Sequence, residues 1–126
     1  MAQHNQLGQL GEQAARDFLI ARGLTIREQN WRMNKLEIDI VAHDPKDNVL
    51  HIVEVKTRTS DEHYDPLKAI TRAKKSHMVA AANADLHYYN LKCGIVYDVM
   101  LVVGQPGAFR IQYIPRAFLP ALRFYR

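Results

Sequence analysis

Two short apolar runs with ionisable side chains set inside them constrain this chain most: Glu37-Ile38-Asp39-Ile40-Val41 and Ile52-Val53-Glu54-Val55-Lys56. Branched aliphatic residues dominate both, which predicts strands. Side chains alternate along a strand, so Glu37, Asp39 and Val41 are expected on one face and Ile38 and Ile40 on the other. By the same rule Glu54 and Lys56 share a face, their Cα atoms roughly 6 to 7 Å apart. Charges in such a run must be paired, bound to metal or close to the surface, because unpaired burial is costly. The intervening Asp44-Pro45-Lys46-Asp47-Asn48 reads as a loop. It is short enough for an antiparallel hairpin, which sets Asp39 opposite Glu54.

The rest of the chain supplies the partners such a hairpin needs. In residues 7–22, Leu7, Leu10, Gly11, Ala14, Ala15, Phe18, Leu19 and Ala21 form one helical stripe, and Gly23 stands where a C-cap glycine is expected. Residues 25–33 predict a first strand, 36–43 a second and 49–57 a third. Asp65-Pro66 predicts the start of a second helix running to about His87, with Leu67, Ile70, Met78 and Ala81 inward. Strands follow at 94–103 and 109–114. The expected fold is therefore α/β in the order α-β-β-β-α-β-β, a central mixed sheet flanked by helices.

At 126 residues, with no repeat or linker-like stretch, a single domain over 1–126 is expected. Its core spans about 7–114, and 115–126 is an aromatic and basic tail of unassigned structure. A hydrophobic share of 48% against 24% charged is a globular balance. The net charge of +4 permits nucleic-acid binding without demanding it. Cys93 is the single cysteine, so no intrachain disulfide can form. Residues 1–6 do not read as a signal peptide, and the apolar run 95–103 is too short to span a bilayer. A cytoplasmic protein, away from membranes, is the expectation.

Two carboxylates converging on a strand pair form a hard oxygen site suited to Mg²⁺. A cation there could polarise a phosphate and activate water, with Lys56 holding that water or neutralising developing charge. On an exposed face, Glu54-Val55-Lys56 is only a solvated ion pair; the addition of Asp39 favours a site. Glu12 lies at the margin of the first helix's stripe, either leaning over the site or pairing with Arg16. Lys74, in step with Ile70 and Met78, either reaches a phosphate or packs its stem on the core. Glu37 either supports the site or pairs with Lys35 or Arg32. Arg58 extends the Glu54 face, and Arg72-Ala73-Lys74-Lys75 is a basic cluster. Asp98, inside an apolar strand, is expected to make a structural bond. His4, His43, His51, His63, His77 and His87 show no zinc spacing. Trp31, Tyr88 and Tyr89 either stack on bases or cover the core.

Four motifs in order add a resemblance: Gly8-Gln9-Leu10-Gly11-Glu12 with Ala15, Asn30-Trp31-Arg32, Glu37-Ile38-Asp39-Ile40-Val41-Ala42, and Val53-Glu54-Val55-Lys56-Thr57-Arg58. With Lys74, Ala81-Ala82 and Tyr97-Asp98-Val99, the set resembles the YraN-like family over residues 7–103. The layout is that of restriction-endonuclease-like nucleases and is similar to archaeal Holliday-junction resolvases. The resemblance implies a restriction-endonuclease-like fold and a Mg²⁺ or Mn²⁺ site on Asp39, Glu54, the Val55 backbone carbonyl and Glu12. Lys56 completes the catalytic set. Lys74, Lys75 and Arg58 are expected to bind nucleic acid. Three positions depart from the family pattern: Leu36 for a glycine, Tyr64-Asp65 for an aromatic-glycine pair, and Val96 for an arginine. They bear on substrate geometry more than on chemistry.

The expected function is thus a metal-dependent endonuclease on DNA, branched DNA included, with a homodimer suited to cutting two strands. A non-catalytic nucleic-acid-binding module on the same fold is the alternative. A structural protein whose tail, residues 118–126, docks a partner is the third.

Overall fold

A computed structural model describes residues 2–34, 36–60, 62, 65, 70–89 and 92–120, with backbone alone for 2–5 and 85–89. Among the described residues the elements are α1 (Ala2–Ala21), β1 (Thr25–Met33), β2 (Leu36–Asp44), β3 (Val49–Arg58), α2 (Arg72–Tyr89), β4 (Gly94–Val103) and β5 (Arg110–Phe118). The order is the α-β-β-β-α-β-β expected. One five-stranded mixed sheet runs β1-β2-β3-β4-β5, antiparallel except for the parallel β3–β4 pair that α2 bridges.

Alternation along the strands builds a core on each face. Leu50, Ile52, Tyr97 and Val99 pack with Ile70, Met78, Ala81 and Ala82 around α2. Val53, Val55, Met100 and Val102 pack with Ala15 and Leu19 of α1. α1 ends in a Schellman motif: the Gly23 amide donates to Ile20 O at 2.9 Å and the Leu24 amide to Leu19 O at 3.1 Å. Gly23 takes φ 91, which a side chain would resist. The cap turns the chain straight into β1.

Several expectations need correcting. α1 begins at Ala2, five residues before the stripe, since nothing in that polar stretch breaks a helix. α2 begins at Arg72, and the non-helical Ile70 and Thr71 separate it from the expected start at Asp65-Pro66. Thr71 is its N-cap, accepting the Lys74 amide at 3.1 Å, and Ile70 lies in a bend. Residues 66–69, with the expected inward Leu67, lie outside the described residues. β5 continues through Pro115 to Phe118, so part of the supposed tail is sheet. An edge strand tolerates proline because its outer amides need no partner. Residues 121–126, with the rest of that tail, lie outside the described residues. Finally, Ile38 packs with Val41 beneath α2, whereas Ile40 packs beneath α1. Alternation breaks at Asp39, and Asn30, opposite it between the pairs Gln29↔Ile40 and Trp31↔Ile38, takes a left-handed φ of 53.

Two glycines of α1 behave oppositely. A Cβ at Gly11 would lie 2.0 Å from Thr57 Oγ1 and 2.9 Å from its Cβ, so α1 rests directly on β3 there. A Cβ at Gly8 would meet nothing within 4 Å. Gly8→Ala should therefore stabilise by about 0.5 to 1 kcal/mol through helix propensity. At Gly11 that gain is outweighed by overpacking of about 1 to 3 kcal/mol, so Gly11→Ala should destabilise. Urea titration of both variants checks the opposite signs.

Candidate functional site

The β2–β3 ladder runs from Asp44↔Val49 to Ile40↔Val53 and stops. Beyond it, β2 remains paired to β1 as far as Leu36, while β3 remains paired to β4 as far as Arg58. The sheet forks, and Asp39 and Glu54 are the first residues past the split. Asp39 bridges the gap with its side chain: the Val55 amide donates to Oδ2 at 2.8 Å. One residue's amide and carbonyl project to the same edge of a strand, so the Val55 carbonyl also faces β2.

Three elements deliver side chains to this fork. Glu54 comes from β3, its side chain only 7% exposed. From α1 comes Glu12, one residue after the Gly11 contact that seats the helix on β3. With its amide nitrogen turned toward Glu12, Asn30 donates to both carboxylate oxygens at 3.1 and 3.2 Å. α2 contributes Lys74 from the turn capped by Thr71. Its Nζ lies 3.1 Å from Glu54 Oε2, while Lys56 Nζ lies 3.9 Å from Oε1. Glu12, Asp39, Glu54, Lys56 and Lys74 thus converge, and Glu12 finds Asn30 and Asp39 as its neighbours. Lys74 thus turns its ammonium to Glu54, with a quarter of its side chain left exposed.

The other expected residues stand apart. Lys75 turns away to the Phe118 ring, 5.5 Å from its centroid. Arg58 is exposed and donates to Thr57 O at 2.9 Å. Glu37 pairs with Arg32 at 3.4 Å, one of the two arginine and lysine partners expected for it. Trp31 is half-buried against the α2-side core. The side chains of Tyr88 and Tyr89, and residues Lys35 and Tyr64, lie outside the described residues.

The electrostatics report crowding of negative charge. Burial, then repulsion from and hydrogen bonding with Asp39, push Glu54 up to about 8. Lys74 pulls the other way without reversing the shift. Burial and Asp39 push Glu12 up to about 7, against the Asn30 hydrogen bond. Burial alone would lower Lys74, but Glu54 overrides it and its pKa is raised. Among the described residues, no three His, Cys, Asp or Glu side chains are spaced as a ready metal cage. The donor set nevertheless suits a hard cation: carboxylate oxygens from three elements and one strand carbonyl, with negative charge in excess. Asp39, Glu54, Glu12 and the Val55 carbonyl are the groups that could hold it.

A second buried cluster escaped the sequence reading. Asp98 is fully buried on the α1 face of β4 and accepts from three sources. These are His51 Nδ1 at 2.6 Å, Tyr113 OH at 2.5 Å and the Arg116 amide at 2.9 Å. The last bond pins the β4–β5 irregularity at Tyr97/Val99, where Arg116 takes φ 52. Asp98 is thus the structural acceptor anticipated. The only hint of its partners was that His51, like Asp98, interrupts an apolar strand.

The mixed sheet with a helix on each face, forked at an acidic centre, is that of the restriction-endonuclease-like α/β class. Residues 11–102 match the family described as Uncharacterised protein family UPF0102, and the chain belongs to that family. A UPF0102 protein of Bacteroides thetaiotaomicron is 42% identical over 122 residues, covering 97% of this chain and 99% of the relative. One from Bacteroides fragilis is 41% identical over the same shares. Another, from Flavobacterium psychrophilum, is 39% identical over 118 residues, 94% of this chain and 98% of the relative. This agrees with the YraN-like resemblance of the motifs. Among the described residues no helix is long and apolar enough to cross a membrane.

The raised carboxyl groups make a signed prediction about stability. Between the ordinary 4.5 and the folded values of about 7 and 8, the folded protein holds more protons than the unfolded chain. Without divalent cations these two groups therefore lower stability as pH rises from 4.5, with the loss complete above about 8. Melting curves from pH 5 to 8 should fall more steeply for wild type than for Glu54→Gln. Parallel curves would show that Glu54 holds no extra proton in the fold.

Proposed function

We propose that this protein is a divalent-metal-dependent endonuclease acting on DNA, branched DNA included. The observation that carries this reading is the convergence of Glu12, Asp39, Glu54, Lys56 and Lys74 where the sheet forks. Mg²⁺ or Mn²⁺ would be held by Asp39, Glu54, the Val55 carbonyl and Glu12. When bound, such an ion polarises a phosphodiester and makes water nucleophilic near neutral pH.

The chain's own residues do the remaining work. Asp39 holds β3 in place through the Val55 amide while offering its other oxygen to the site. Lys56 contacts Glu54 loosely, at 3.9 Å, leaving its ammonium able to orient the attacking water and steady charge on the phosphate oxygens. Lys74 and Arg58 would hold the phosphates flanking the cut, with Lys75 further along α2. A homodimer would pair two such forks for the two strands of a duplex or junction.

A non-catalytic nucleic-acid-binding module is the second reading. What favours it is that Glu54 is paired to Lys74 and Glu12 to Asn30 rather than spread around one point. Labelled linear, flap and four-way-junction DNA, incubated with Mg²⁺, Mn²⁺ or EDTA, separates the two. The nuclease reading expects cation-dependent cutting that Asp39→Ala lowers at least a hundredfold, on the order of the loss of a transition-state contact. A junction retarded on a gel but never cut would leave the binding module.

A further inference from the structure

The ion pair between α2 and β3 is placed as an exchangeable one. Glu54 is 6% exposed, so its carboxylate has little water to draw on, and its two oxygens are divided between Lys74 and Lys56. A cation that takes up Glu54 has to replace a partner already there. Lys56 sits two residues along the same strand and barely reaches, at 3.9 Å. Lys74 makes the close contact, at 3.1 Å, from a different element. Its backbone is fixed by the Thr71 cap, while its stem carries four rotatable carbon–carbon bonds through which the ammonium can be re-aimed. Its side chain is 25% exposed and so has an open side toward solvent.

We propose that Lys74 is an exchangeable counter-ion: a divalent cation entering the fork displaces its ammonium from Glu54, and the released ammonium binds a nucleic-acid phosphate. The inference rests on the metal-site reading above and adds its regulation. Two ammonium groups already flank this buried carboxylate, at 3.1 and 3.9 Å, and a divalent cation added to them repels the nearer one, Lys74, most strongly. Each cation bound therefore frees a positive charge at the rim of the fork, where a phosphate backbone would lie. Metal and nucleic acid then bind with positive coupling, and the coupling is reciprocal. A purely structural lysine would give none.

The test uses the full chain and Lys74→Met, which keeps the stem and removes the charge. Titration calorimetry with MgCl₂ reads the competition, and binding of a synthetic four-way junction with and without CaCl₂ reads the coupling. Exchange predicts that Lys74→Met binds Mg²⁺ about fivefold or more tightly than wild type, the lower end of ordinary coupling. It also predicts that Ca²⁺ strengthens junction binding by wild type and not by the variant. Equal or weaker Mg²⁺ binding by Lys74→Met, with wild type binding normally, overturns the exchange and leaves the metal site standing. Wild type that takes up no Mg²⁺ removes the metal site itself. Should the variant not fold, lysine Nζ NMR of wild type decides: Mg²⁺ must shift the Lys74 ammonium signal to that of a free lysine, and an unmoved signal overturns the proposal.

Discussion

Where the β2–β3 ladder stops, the amide of Val55 would lose its acceptor, and the Asp39 carboxylate takes that place at 2.8 Å. A buried amide left unpaired costs about 1 to 3 kcal/mol, so this one bond lets the sheet fork without penalty. It also fixes the geometry of the fork. The bond holds a carboxylate at the mouth of the fork, turns the Val55 carbonyl toward the same space, and leaves Glu54 as the neighbouring strand position. Every other group at the site is brought to this point by an element seated on one face of the sheet.

The two helices do that seating by different means. α1 lies flat on β3 because Gly11 has no Cβ to meet Thr57, and the next residue, Glu12, then reaches the fork from that side. α2 covers the opposite face through Met78, Ala81 and Ala82, and its capped first turn sets Lys74 over Glu54. Away from the fork, Asp98 ties three strands together through His51, Tyr113 and the Arg116 amide. Acidic groups thus serve two separate ends. Asp98 has donors for both its oxygens and is structural, whereas Glu12 and Glu54 crowd Asp39 and are left with more negative charge than the lysines balance.

Much of this was legible in the sequence because it depends on local pattern. The alternation of apolar residues gave the strands, and the short loop after Asp44 gave an antiparallel register that puts Asp39 opposite Glu54. Gly23 announced the end of α1. What the pattern could not give depends on distant or backbone-level events. Asn30 at positive φ upsets the alternation at Asp39, and nothing in Asn30-Trp31-Arg32 states that angle. Nothing in the pattern marked Thr71 as the cap of α2, because its role is set by one side-chain bond to the Lys74 amide. Pro115 argued against strand until the edge position of β5 made it harmless. The bond between His51 and Asp98 joins residues 47 apart in the chain, and the choice of Lys74 over Lys56 as the nearer partner of Glu54 depends on how α2 packs on the sheet.

The central claim is that the fork is a divalent-cation site, and paramagnetic mapping tests it without relying on catalysis. Substoichiometric Mn²⁺ added to nitrogen-15-labelled protein should broaden the amide signals of Glu12, Asp39, Ile40, Glu54 and Val55 first. The signals of Lys46 and Gly94, at the other end of the sheet, should stay sharp. Broadening centred on Glu62 and Asp65, or none at all, would contradict the account.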